Sequence, residues 1–252
     1  MIRAAFGSLT AFVVLTVVAV PAGAQTTFSI DPLMIKLDAE TRNAVMTITN
    51  TSAREIRFEL KAFTWTQAPP DGAMTLTPTT DVAVFPPLVT LKPKMTQRVR
   101  VGTTLAPGAI EKAYRIMVEE LPSGAAPVGA NQVAVRTRIG VPVFLAPTKT
   151  ALSGRIEAIT VAKRSVAIPL TNTGTAHAMI DSVVVRGMSA PDEVVFEDSL
   201  QGWYLLAGQT RTWQYALKAA QCRSVKFVEI EVYAHDQAMT SRADVSPAAC
   251  TQ

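Results

Sequence analysis

Histidine and cysteine are scarce: the 252 residues hold two of each. Neither His177 nor His235 has a neighbour at metal-ligand spacing, so no metal site is expected. His177 follows Asn172-Thr173-Gly174 and reads as a solvated turn residue. A Gly-x-Ser-x-Gly elbow, a phosphate-cradling glycine loop and a His-Glu-x-x-His helix are all missing. The adjacent acids Glu119 and Glu120 lie in a strand pattern, whose alternation sends them to opposite faces and forbids a shared substrate. These absences exclude the common catalytic classes, and neither an enzyme nor a cofactor is expected.

An excess of one charge is missing too. The 24 Lys and Arg exceed the 20 Asp and Glu by only four, and they are scattered, so nucleic acid is not an expected partner. Long apolar runs are limited to one, at residues 11–20, between Arg3 and the sequence Pro21-Ala22-Gly23-Ala24. A basic start, a short apolar stretch and an Ala-x-Ala site make a secretory signal peptide over residues 1–24, cut after Ala24. The run is too short, and too near that site, for a transmembrane helix. Without stable membrane insertion, the exported chain is expected to start at Gln25. Removing 24 residues, with Arg3 as their one charge, leaves 228 residues and a net charge of +3. In an oxidising compartment, Cys222 and Cys250 are expected as a disulfide rather than two free thiols.

No segment shows a convincing amphipathic helical period, and almost every one reads as a strand. Residues 28–37 form a first strand interrupted by Pro32, which suits an edge or a change of sheet. Residues 43–49 and 55–65 alternate apolar with polar side chains, and 97–101 sets Val99 and Val101 against Arg98 and Arg100. Residues 67–71 read as loop. Internal echoes then divide the chain. NAVMTITNTSAREI at Asn43 returns as SVAIPLTNTGTAHA at Ser165, and LKPKMTQRVRV at Leu91 returns as LLAGQTRTWQYAL at Leu205. Two echoes in one order indicate two copies of one unit. The expected domains are 25–147 and 148–252, each an antiparallel β-sandwich of immunoglobulin type.

The most distinctive stretch is 111–147. Tyr114, Ile116 and Val118 share one strand face. After a slack linker, Val133, Val135, Thr137, Ile139, Val141 and Val143 share another, with Arg136 and Arg138 opposite. Such a stripe fits an ordinary core strand, or an edge that binds another chain. Arg98, Arg100, Arg115, Arg136 and Arg138 fit solvated strand faces, or a cluster suited to hold a carboxylate.

TITNTS (47–52), FTW (63–65), VFPPLVTLKP (84–93), the strand at 97–101, E-x-x-Y-R-I-x-V-x-E-L-P (111–122) and RTRIGVPVFLAP (136–147) together resemble a divergent branch of the periplasmic pilus-assembly chaperones of the chaperone–usher pathway. The resemblance implies an all-β protein of two immunoglobulin-like domains in a boomerang arrangement. It implies a periplasmic chaperone that stabilises pilin subunits by donor-strand complementation and delivers them to an outer-membrane usher. On this chain Val133 and Val135 are the donated residues, with Thr137 and Ile139 continuing the face. The cleft between the domains is expected to hold the subunit's terminal carboxylate. Two of the family's basic positions fall on Met34 and Gly140 and a third on Ala146, while Arg100 and Glu111 match theirs. Arg100 is accordingly expected to order the first domain through Glu111, and the anchor to be Arg115 or, second, Arg138. The alternative is a structural or adhesive two-domain surface protein, for which residues 25–27 are a poor donor segment.

Overall fold

A computed structural model describes residues 28–122, 136–234 and 237–251. The chain runs through β1 (Phe28–Asp31), β2 (Ile35–Leu37), β3 (Asn43–Asn50), β4 (Ile56–Ala68), β5 (Ala73–Pro78), β6 (Ala83–Phe85), β7 (Leu88–Leu91), β8 (Thr96–Gly102), β9 (Lys112–Glu120) and β10 (Arg138–Leu145). One sheet orders β1-β3-β8-β6; the other orders β2-β10-β9-β4-β5, with β7 also on β4. The alternation dictates the layers. Met46, Ile48, Val99 and Val101 turn inward, while Arg98 and Arg100 on β8 stay in solvent. Phe28 meets Phe58 edge to face at 4.6 Å between the sheets. Burying each such side chain contributes about 1.5–3 kcal/mol. Pro32 has no amide hydrogen to extend the β1 ladder. The chain changes sheets there, and β2 runs parallel to β10.

The second half repeats the plan with β11 (Gly154–Ile156), β12 (Thr160–Ala162), β13 (Ser165–Asn172), β14 (Ala178–Ala190), β15 (Glu193–Gln201), β16 (Tyr204–Leu205), β17 (Thr210–Ala216), β18 (Phe227–Ala234) and β19 (Gln237–Asp244). One sheet orders β11-β13-β12 with β17 on β13; its mate orders β15-β14-β18-β19 with β16 on β14. The two halves share no sheet, and both are immunoglobulin-like sandwiches. The polar stretch after residue 236 is the strand β19, paired with β18 along its length. A six-residue helix, Ala219–Ser224, carries Cys222, which is bonded to Cys250.

The sequence echoes have a physical cause. Asn50 is fully buried, and its Nδ2 donates to the carbonyls of Arg54 (2.7 Å), Leu91 (3.0 Å) and Lys92 (3.1 Å). Asn172, its counterpart, donates to Ala176 O (2.8 Å) and Leu205 O (2.9 Å). In each sandwich one asparagine thus ties a turn to the start of the second echoing segment, satisfying the buried carbonyl of Leu91 in one and of Leu205 in the other.

Candidate functional site: an open strand edge at an interdomain cation

β10 pairs with β9 from Arg138 opposite Glu119 to Leu145 opposite Lys112. Its other side is covered by β2 only at Val143, Phe144 and Leu145. From Arg138 to Pro142 no described strand pairs with that side. Glu120 N donates to Thr137 O at 3.0 Å, and Ala146 N donates to Leu37 O at 2.8 Å. By the alternation of ladder bonds, the amides and carbonyls of Arg138 and Gly140 therefore turn toward the open side. The root of the strand is clamped: Glu120 accepts from Arg54 (3.1 Å) and lies 3.4 Å from the Thr137 amide.

The open side ends at the junction between the domains. Trp65, Ala113, Phe144 and Leu206 form a small buried cluster there, flanked by Met34, Leu76 and Tyr204. Gln67 is buried in β4, not in a loop, and acts as a surrogate strand. Its Nε2 donates to Tyr204 O (2.7 Å) while its Oε1 accepts from Leu206 N (2.8 Å). Thr212 N donates to Pro70 O at 2.6 Å nearby. His177, against expectation, is no solvated residue. Its ring stacks on Phe144 at 3.7 Å. Its amide donates to Glu111 Oε1 at 2.9 Å, and Nδ1 lies 2.8 Å from the same oxygen.

Arg115 projects from β9 into this junction and is only 9% exposed. Its guanidinium carbon lies 4.1 Å from the ring centre of Trp65 and 5.9 Å from that of Trp203 in the second domain. Nε is buried with no hydrogen-bond partner, as is the indole nitrogen of Trp65. No ion pair reaches Arg115 among the described residues. Burial pulls the guanidinium below its ordinary range, and Tyr204 offsets part of that. An arginine keeps its proton regardless. A buried cation without an anion is costly; here aromatic faces supply the compensation.

The sequence-predicted residues fall into distinct places. Val133 and Val135 lie outside the described residues. Thr137 and Ile139 continue into β10, where Val141, Val143 and Leu145 are core and Ile139 packs at the core's rim. Arg138 is a surface residue 3.5 Å from Glu119, away from the junction that holds Arg115. Arg100 is exposed, and no ion pair joins it to Glu111, whose carboxylate serves His177 in the other domain instead. Trp203, Gln67 and the His177–Glu111 contact escaped sequence reasoning. The one available signal was the rarity of tryptophan, since two of the three converge on Arg115.

This arrangement defines a class: two immunoglobulin-like sandwiches docked through an aromatic junction, with an unpaired apolar strand edge running into it. Residues 27–151 match the family described as pili and flagellar-assembly chaperone, PapD N-terminal domain. Through that domain the chain belongs to the pilus-assembly chaperones, a family whose role is not enzymatic. A chain of the CsuC–CsuE chaperone–tip adhesion subunit pre-assembly complex, from archaic chaperone-usher Csu pili of Acinetobacter baumannii, is 16% identical with a TM-score of 0.58. The match covers 86% of this chain and 98% of that one. The class 5 fimbriae chaperone CfaA is 13% identical with a TM-score of 0.56, over 85% and 98% of the two chains. A chain of the Salmonella enterica SafA pilin–SafB chaperone complex is 13% identical with a TM-score of 0.55, over 87% and 98%. At such identities the likeness establishes the fold. No curated protein matches the sequence.

Proposed function

We propose that this protein is a periplasmic chaperone that captures pilin subunits by lending them a strand and hands them to an outer-membrane usher. In this reading residues 1–24 are a cleaved signal peptide, and the sandwiches divide after Pro147. The observation that carries the reading is where the open edge of β10 stops. Pro142 offers no amide hydrogen, and β2 occupies the edge from Val143 onward. The last free donor is Gly140, and there sits the unpaired guanidinium of Arg115. A strand added along this edge that ends at a cation is suited to be a polypeptide's C-terminus, running parallel to β10 with its carboxylate on Arg115. By the alternation of the sequence, Val133, Val135, Thr137 and Ile139 share a face with Val141 and Val143, and in this reading they are the side chains lent to the subunit's groove.

Purification from a periplasmic extract, with intact mass spectrometry, tests this. The expected result is a chain beginning at Gln25 that carries a pilin, and a Val135→Asp form that carries none while keeping its melting temperature. A charge in an apolar groove costs several kcal/mol, and far less at an exposed edge. Recovery of the same pilin with Val135→Asp would contradict the strand assignment.

A further inference from the structure

The side chain of Arg115 lies against Gly140, its diagonal neighbour across the β9–β10 ladder, and the space the glycine's missing side chain leaves is already in use. A Cβ built at Gly140 would lie 3.2 Å from Arg115 Nη1, 3.3 Å from Arg115 Cδ and 3.0 Å from Met117 Sδ. Ordinary carbon contacts sit at about 3.5–4.0 Å, so even a methyl group there displaces the arginine. Backbone conformation does not explain the glycine, because Gly140 lies inside the regular β9–β10 ladder opposite Met117. A glycine inside a strand weakens it and often marks close approach by another group. Here the approaching group is a guanidinium, pressed between β10 and the Trp65 ring.

We infer that Gly140 is the positioning residue of the Arg115 site: its bare Cα is the port through which the cation reaches the open edge. Met117 and Trp65 fix the other sides of the port, and Trp203 closes it from the second domain. The three atoms nearest to a Cβ at 140 all belong to the flexible side chains of Met117 and Arg115. A substitution there therefore moves Arg115 and leaves the sheet standing. The inference rests on the proposed reading only for its consequence in capture; the placement of Arg115 is independent of any partner.

A double-mutant cycle with two readouts tests both levels. The first is the Arg115 Nε–H resonance, set by the Trp65 ring current and measured on the full mature chain without partner. Gly140→Ala is expected to shift it toward the position of a free arginine. The second is affinity for the pilin that co-purifies with the wild-type protein. Gly140→Ala is expected to weaken it about tenfold, as for a displaced partly buried charge pair. In an Arg115→Ala background the same change is expected to alter affinity by less than about twofold, since the two act as a unit. An unmoved resonance in Gly140→Ala would overturn the inference, as would an equal loss of affinity with and without Arg115. If Arg115→Ala itself leaves capture intact, the carboxylate reading fails, and the resonance still decides the role of Gly140.

Discussion

The last strands of the two sandwiches are both edges, and they are defended in opposite ways. β19 ends its sheet, and its sequence, QAMTSRAD, exposes five of its eight residues and only partly buries the other three. Polar and charged residues are the usual protection of an edge against unwanted pairing. β10, RIGVPVFL, is buried over its last five residues and open from Arg138 to Pro142. An apolar edge without that protection invites another strand. The sandwich that keeps its edge polar also carries the disulfide, whereas the first domain has no cysteine. Covalent closure accompanies the unit with the polar edge, and the open edge sits on the unit proposed to bind.

The largest expected effect that sharpens this contrast comes from the disulfide. Cys222 and Cys250 are 28 residues apart, and closing such a loop contributes about 3.5 kcal/mol. The Cys222→Ser/Cys250→Ser form should lower the denaturant midpoint of the second sandwich and leave the first transition in place. Equal loss in both sandwiches, followed by tryptophan and hydrogen-exchange signals, would break the comparison.

A smaller effect is expected where the two sandwiches agree. Asn50→Ala strips the buried carbonyl of Leu91, while Arg54 O keeps Ser52 Oγ and Lys92 O keeps Met95 N; Asn172→Ala strips the two buried carbonyls of Ala176 and Leu205. Each orphaned group costs about 1–3 kcal/mol before relaxation. Chemical denaturation should rank Asn172→Ala as the more damaging of the two. The reverse order would mean that the echo is sequence likeness without a shared role.

That echo shows what the sequence made legible. Alternation at Met46, Ile48, Val99 and Val101 revealed the sandwiches, and Pro32 marked the change of sheet. These are local rules that each strand obeys by itself. The disulfide was readable because only one pairing exists. β19 was missed because Gln237–Asp244 has no apolar alternation; its pairing with β18 supplies the order. Gln67, His177 and Trp203 were missed for a different reason. Their partners lie in the other sandwich, and a contact between two folded units leaves no period in either segment. Arg115 was named as the expected anchor, but its aromatic walls were not foreseen.

The junction yields the smallest stability effect. Gln67→Ala removes two hydrogen bonds between the domains and leaves Tyr204 O and Leu206 N without those partners. A cost of about 1–3 kcal/mol is expected, read as earlier separation of the two unfolding transitions. A single unchanged transition would show that the aromatic cluster alone couples the sandwiches.

The central claim is that the open edge ends at a cation kept free for a partner's carboxylate, and one comparison tests it most directly. Affinity for the co-purified pilin is measured for the wild type, Arg115→Ala and Arg138→Ala at low salt, alongside melting temperatures without pilin. Arg115→Ala should weaken capture by at least about tenfold with no loss of melting temperature, because the free protein gives that cation no anion. Arg138→Ala, which removes only an exposed pair with Glu119, should stay within about twofold. Wild-type capture by Arg115→Ala, or a larger loss in Arg138→Ala, would contradict the account.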